Sequence, residues 1–434
     1  MSLCGRPLPA RHHTRGEYAE SGQILLTSLT TDAYQMLKQR EAPEEHNRHN
    51  RVVVFLGAGA STPAGYRTFS SFPDLLLDEC TRLREGLTKI SRAEYSLLLE
   101  IRRSLSALQK PATHDNFLWA LDHYAGIGHS LQKDSVLGSR LVPGTIQGAK
   151  LTHFFATTEQ AIRSISETTI RHYSRNRVRE VCDSNGRELM KRFLALYSQL
   201  ARLNAGDEPC LSVFTTNYDM FINDLVAESD LASSLNVIDG FPAACGDGAA
   251  WDSACYKPRQ ASSQSLYLLR LHGCVCWYLD AGSVRFYRDN ITPHRLSALC
   301  AVYPGNEQLR DAPPQAFARH VFHRSLLQAT VLVTIGFSFR DDDVVHSLLV
   351  ATARREPHLK LIVVDPYARA SDVMVRIGEA ASRLPFPVPG FAAADVELIC
   401  ADIGTQGCHD LIVEATERTL RHTSVCSSGA GAYS

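Results

Sequence analysis

The chain has 434 residues, 44% of them hydrophobic, and a formal net charge of −1 at pH 7, enough apolar material for a large core in two or three lobes. With charges balanced and no long run of Lys or Arg, the electrostatic footprint of direct nucleic-acid binding is excluded. No stretch approaches the ~18 uninterrupted apolar residues of a membrane span, the N-terminus lacks a secretory apolar core, and the 12 cysteines are too dispersed for a disulfide framework. A cytoplasmic protein with mostly reduced, buried thiols is expected.

Residues 1–50 read as an N-terminal extension and linker, with a short helical pattern at 31–40 before a polar Glu/His/Asn/Arg stretch. The core is expected over residues 51–423, where strand-like runs recur at 52–56, 211–214, 266–271, 331–335, 359–364 and 396–400. Helical patterns lie between them. This alternation predicts an α/β fold, a Rossmann-like parallel sheet with helices on both faces. The long gap after the first strand predicts an inserted helical lobe over residues 100–205. There Thr157 and Gln160 make a capping-box signal ahead of Ile162, Ile165 and Ile170, and Leu189, Phe193, Leu196 and Leu200 repeat the helical spacing. Residues 230–264, rich in Gly, Ala and Ser, read as an irregular insertion, and the Ser/Gly/Ala-rich residues 424–434 as a disordered tail.

The apolar run Val52-Val53-Val54-Phe55-Leu56 empties into Gly57-Ala58-Gly59-Ala60-Ser61. Such a turn leaves no Cβ between backbone amides and a pyrophosphate, and the helix start beyond it supplies unpaired N–H donors, so a dinucleotide is indicated. A dehydrogenase fingerprint would have a third glycine three residues after Gly59 and an acid closing the next strand. Here Thr62 stands in place of that glycine, and Asp74, Asp78 and Glu79 fall in a Leu-rich helical stretch. Hydride transfer loses support.

Further motifs fall at strand ends, where open α/β sheets place ligands. Phe214-Thr215-Thr216-Asn217-Tyr218-Asp219 brings an amide that can meet a ribose hydroxyl or water and a carboxylate that can accept from a carboxamide; the same residues also suit a helix N-cap. Leu269-Arg270-Leu271-His272-Gly273 presents an imidazole able to take a proton from water or a ribose hydroxyl, or else a structural histidine. The run 331–343 ends in Gly336-Phe337-Ser338-Phe339-Arg340-Asp341-Asp342-Asp343. Gly336 and Ser338 can approach a ribose or phosphate, whereas Asp342 and Asp343 suit the positive end of a helix, and no metal site is expected. Asp365, before Pro366, is either an adenosine-ribose acceptor or a turn residue.

Taken in order, Gly-Ala-Gly-x-Ser, Thr-x-Asn-x-Asp, His-Gly and Gly-x-Ser make the chain resemble the sirtuin family, in its divergent bacterial branch of phage-defence systems, over residues 51–402. The resemblance implies a sheet that binds NAD, with Gly57, Ala58, Gly59 and Ser61 around the phosphates and Gly65 and Phe69 in a loop closing over the nicotinamide ribose. It implies Asn217 and His272 as the catalytic pair, Asp219 at the carboxamide, and Gly336, Ser338 and Asp365 on the adenosine half. Two departures shift the expected chemistry. Protein-deacylating sirtuins carry Pro-Asp-Phe-Arg where this chain has Arg67-Thr68-Phe69-Ser70. They also carry two Cys-x-x-Cys pairs on a zinc module, whereas here Cys274 and Cys276 have one residue between them and Cys245 and Cys255 lie upstream, so no zinc is expected. Without that module water is the expected acceptor. NAD is then a substrate, cleaved to nicotinamide and ADP-ribose by a latent NAD-depleting effector; an NAD-dependent deacylase and a non-catalytic NAD or ADP-ribose sensor are the alternatives. Family precedent further implies a homo-oligomer and either a helicase-like hexameric ATPase partner or a phage-derived trigger.

Overall fold

A computed structural model describes residues 51–64, 102–103, 106–107, 184–204, 210–227, 235–242, 248–256, 264–280, 282–287, 299–302, 307–353, 359–384 and 395–429. The predicted helix at 31–40, the capping box at Thr157 and the loop positions Gly65 and Phe69 lie outside these residues.

Seven strands form one parallel sheet: β1 (Val52–Leu56), β2 (Cys210–Thr215), β3 (Leu235–Ile238), β4 (Gln264–Arg270), β8 (Val331–Ile335), β9 (Lys360–Val364) and β10 (Val396–Ile399). Their order is β10-β9-β8-β1-β2-β4-β3, every neighbouring pair parallel. The predicted α/β architecture is therefore present. β1 is central, with Val54 opposite Val213 on one side and Val333 on the other. Chain order runs outward from β1 through β2 on one side and through β8 on the other. This reversal opens a crevice beyond the carboxyl ends of β1 and β8, the usual ligand position of an open α/β sheet.

Burial on both faces explains why the strands are continuously apolar. Val52, Val54 and Leu56 pack with Phe193, Tyr197 and Leu200 of α1 (Ser184–Leu203) and with Cys408, Ile412 and Ala415 of α6 (Gln406–Gly429). Val53 and Phe55 face the other way, onto Phe322 and Leu326 of α3 (Pro313–Gln328), Val345 and Leu348 of α4 (Asp342–Ala353) and Ile377 of α5 (Ala370–Ser382). Each such side chain contributes about 1.5–3 kcal/mol by leaving water.

Three stretches take a definite form. The helical stripe Leu189, Phe193, Leu196 and Leu200 belongs to α1, which covers the sheet, because an apolar stripe of that width needs an apolar face and the sheet supplies it. The stretch 230–264 contains β3, an edge strand too short to stand out in sequence. α6 continues to Gly429, into the tail expected to be disordered; once a helix is nucleated on the sheet, each further residue adds a hydrogen bond without a new nucleation cost.

A second sheet was not visible in the sequence. β5 (Gly273–Asp280) pairs antiparallel with β6 (Ser283–Phe286) and β7 (Leu299–Ala301). Its side chains form a separate core of Cys274, Val275, Trp277, Tyr278, Val284 and Cys300 against Tyr218 and Met220. Among the described residues no helix is long and apolar enough to cross a membrane.

Asn204 ties the start of β1 to its neighbours. Its side chain accepts from Val52 N at 2.7 Å and donates to Val52 O at 3.3 Å and Cys210 O at 2.7 Å, all in a buried setting. Asn204→Ala leaves three backbone groups unmatched and is expected to cost about 2–4 kcal/mol, read as a lower urea midpoint. An unchanged midpoint would refute this role.

Candidate active site

The turn after β1 is built against the turn after β8. Gly57 N donates to Ile335 O at 2.9 Å, Gly59 N to Gly336 O at 3.0 Å and Ala60 N to Gly57 O at 3.0 Å, after which residues Ala58–Ala64 form a 3-10 turn. Gly336 has φ +60, and a Cβ there would lie 2.4 Å from Ala60 N; a Cβ on Gly57 would lie 2.3 Å from Gly336 O. The glycines of both motifs are thus required first by each other. Two of the amides expected to face a phosphate, those of Gly57 and Gly59, are committed within the protein. Those of Ala58 and Ser338 have no acceptor among the described residues, and they remain as donors for an anion at this edge.

The turn after β2 is threaded onto the same corner. Thr215 Oγ1 donates to Leu56 O at 2.9 Å and accepts from Asn217 N at 2.9 Å. Asn217, 6% exposed, donates its Nδ2 to Gly57 O at 2.9 Å. This fixes the amide flip and leaves Oδ1 without a donor among the described residues. Ser61 departs from its expected place at the phosphates: it is buried and donates to Asp219 Oδ2 at 2.9 Å. Asp219 Oδ1 accepts from Phe221 N at 3.1 Å, at the start of α2 (Phe221–Ala227). Burial pushes the Asp219 carboxyl up from its ordinary value, opposed by the Arg270 charge, the Phe221 N–H and the Ser61 hydroxyl.

β4 ends at Arg270, and Gly273, at φ +80, turns the chain out of the parallel sheet into β5. His272 stands at that exit. Its Nε2 lies 3.1 Å from Asp341 Oδ2, both side chains 18% exposed, and its carbonyl accepts from Val302 N at 2.8 Å. The Tyr218 ring lies 6.4 Å from the imidazole, and the Tyr218 hydroxyl donates to Val302 O. With Asp341 accepting from Nε2, Nδ1 is left as the basic nitrogen.

Asp341 is a candidate site residue that sequence reasoning missed. It precedes α4, where its Oδ1 accepts from Val344 N at 3.2 Å while Oδ2 orients His272. Burial raises the Asp341 carboxyl, but the hydrogen bond and charge of His272, the Val344 N–H and the Arg310 charge outweigh it and hold the group below its ordinary value. Asp342 and Asp343 are structural: Asp342 pairs with Arg383, and Asp343 with Arg310 at 2.9 Å and Arg319 at 3.3 Å. The available signal was position, since Asp341 alone of the three lies outside the helix. Between the motifs Phe339 holds φ +56, costly for a bulky residue, and is buried against Phe337.

Gly336 N donates to Val364 O at 2.9 Å, which ties the Gly336 turn to the end of β9, just before Asp365. Asp365 Oδ1 accepts from Tyr367 N at 2.8 Å, as in a turn, and Ser338, two residues after Gly336, is exposed. Cys274 and Cys276 are buried in the aromatic core of the second sheet, Cys255 is half-buried, and Cys245 lies outside the described residues. Among the described residues no group of three or more His, Cys, Asp or Glu side chains is placed to hold a metal ion.

Residues 211–375 match the family model of the SIR2-like domain. The span begins in β2 and ends in α5, taking in Asn217, Asp219, His272, Gly336, Ser338, Asp341 and Asp365 but not the first glycine turn. No curated protein matches the chain. Residues 211–375 are thus similar to a SIR2-like domain, carried on a seven-stranded parallel α/β sheet, and this likeness is consistent with chemistry on NAD.

Proposed function

We propose that this protein hydrolyses the nicotinamide N-glycosidic bond of NAD, giving nicotinamide and ADP-ribose. One observation supports the reading: the turns that carry Asn217, the His272–Asp341 pair and the two interlocked glycine motifs all follow the carboxyl ends of the neighbouring strands β8, β1, β2 and β4 of one parallel sheet. The nicotinamide leaves as a neutral base from a cationic pyridinium, so no strong general acid is required. What the protein must do is orient the ribose, exclude other acceptors and remove one proton. Asn217, held by Gly57 O, offers Oδ1 to a ribose hydroxyl or to the attacking water. His272 takes the proton of that water on Nδ1 as its oxygen bonds to the anomeric carbon, and the electrons of the broken C–N bond stay with nicotinamide. Asp219 has an oxygen lone pair left for the carboxamide, while Ala58, Ser338 and Asp365 address the phosphates and adenosine.

Water as acceptor is supported by the chain that follows His272. It enters an antiparallel sheet with an aromatic core, in place of the paired-cysteine module of the protein-deacylating enzymes. In this reading the protein is a latent, oligomeric NAD-depleting effector of bacterial antiphage defence, released by a phage-derived trigger or a helicase-like hexameric ATPase partner.

The test incubates purified protein with NAD, alone and with neighbouring-gene products, and follows nicotinamide by chromatography. Asn217→Ala is expected to lower the release about 10²-fold or more. Release that persists in both Asn217→Ala and His272→Ala sinks the mechanism, and turnover that requires an acylated peptide selects deacylation instead.

A further inference from the structure

Arg270 is 3% exposed and ends β4, two residues before His272. Its Nη1 donates to the carbonyls of Asn217 at 3.2 Å and Asp219 at 2.6 Å, and its Nη2 donates to Asn223 Oδ1 on α2 at 2.8 Å. Asn223 Nδ2 donates onward to Asp239 Oδ2 at 2.8 Å, and Asp239 Oδ1 accepts from Phe241 N at 3.2 Å, just beyond β3. One guanidinium thereby gathers the chain leaving β2, β3 and β4.

Among the described residues no carboxylate forms an ion pair with Arg270. A charge taken out of water to meet carbonyls and an amide, with the Asp219 and Asp239 carboxyls felt only from beyond ion-pair distance, is a poor stabiliser of a core, and an apolar side chain of similar volume would serve stability as well. What an apolar side chain cannot do is direct two carbonyls, two residues apart, onto one nitrogen. With the carbonyls of Asn217 and Asp219 both held, the 217–218 and 219–220 peptides are fixed, and so are the directions in which the Asn217 and Asp219 side chains leave the backbone. Arg's planar fork suits this, and an ammonium does not.

We infer that Arg270 is a positioning residue for the nicotinamide-ribose half of the site, holding Asn217 and Asp219 in place without touching the ligand. The identity of the ligand rests on the NAD reading; the hold on the loop rests on the hydrogen bonds alone.

Two measurements on Arg270→Lys and Arg270→Met separate these. In amide hydrogen exchange, both variants are expected to speed exchange over residues 217–221, Met more than Lys, while residues 52–56 stay protected. In calorimetry, NAD is expected to bind about tenfold or more weakly to both variants, with ADP, which lacks the nicotinamide ribose, within about twofold of wild type. Partial recovery by Lys of both readouts relative to Met supports positioning by donor and charge. Faster exchange throughout the sheet, or equal loss of NAD and ADP, makes Arg270 a general structural residue and overturns the inference, as does no change in either variant. Wild-type protein that binds neither ligand sinks the NAD reading itself; the exchange pattern, which needs no ligand, then still upholds or overturns the hold of Arg270 on the loop.

Discussion

His272→Ala is expected to lower nicotinamide release about 10²- to 10⁴-fold, the range of a lost general base, and Asp341→Asn on the order of 10²-fold through His272 alone. Asp341→Asn preserves the shape of the side chain and the acceptor for Val344 N, so α4 keeps its cap. What it loses is the anion that accepts from Nε2 and steadies the imidazolium formed as water is deprotonated. The effect is therefore expected in kcat, with NAD affinity within about twofold of wild type, because among the described residues no hydrogen bond joins the Asp341 side chain to Asn217 or to the glycine turns. A double variant no worse than His272→Ala would place the two residues in one unit; independent, multiplying losses would break the dyad.

The same pair makes a pH prediction of definite sign. Asp341 is held below its ordinary value in the folded protein, so its ionised form stabilises the native state fully above about pH 4, the unfolded carboxylate range. That contribution is lost as pH falls through the lowered folded value. The stability difference between wild type and Asp341→Asn, from urea unfolding, is expected to be largest at neutral pH and to shrink on acidification. A difference that grows towards low pH would contradict the assignment.

Gly336→Ala is expected to cost about 2–6 kcal/mol, from a left-handed φ and from overpacking. The added Cβ meets Ala60 N at 2.4 Å, Gly59 C at 2.4 Å and Gly59 Cα at 2.5 Å, all backbone atoms of the facing turn, which cannot rotate away. Against a typical domain stability of about 5–15 kcal/mol this approaches global unfolding. Gly378, inside α5 with open space around its Cβ position, is the control; Gly378→Ala is expected to gain about 0.5–1 kcal/mol from helix propensity. Thermal or urea unfolding reads both. If Gly336→Ala matches wild type, the two turns do not interlock as described.

Much of the fold was written locally. Runs such as Val331–Ile335 and Lys360–Val364 are apolar but for Thr334 and Lys360 because both faces of a parallel strand are covered, and that pattern needs no knowledge of the neighbours. β3 and the antiparallel sheet escaped because short strands, broken by a bulge in β5, carry too few residues for a period to show. For the site, residue type marked Asn217 and His272 as capable of chemistry, and the glycine turn as able to approach a ligand. It could not assign their partners. Ser61 and Asp219 are separated by 158 residues, Asn217 and Gly57 by 160. Asp341 lies in a run of three acids that sequence alone reads as a helix start. Strand identity and the chemical repertoire of each turn were thus determined by the sequence itself, because hydrophobic periodicity and side-chain type are local properties. Which turns meet was decided only by the parallel order β8-β1-β2-β4, which brings the ends of distant strands to one edge. That order makes Asp341 a partner of His272, makes Arg270 the anchor of Asn217, and turns the glycines of two motifs into each other's contact.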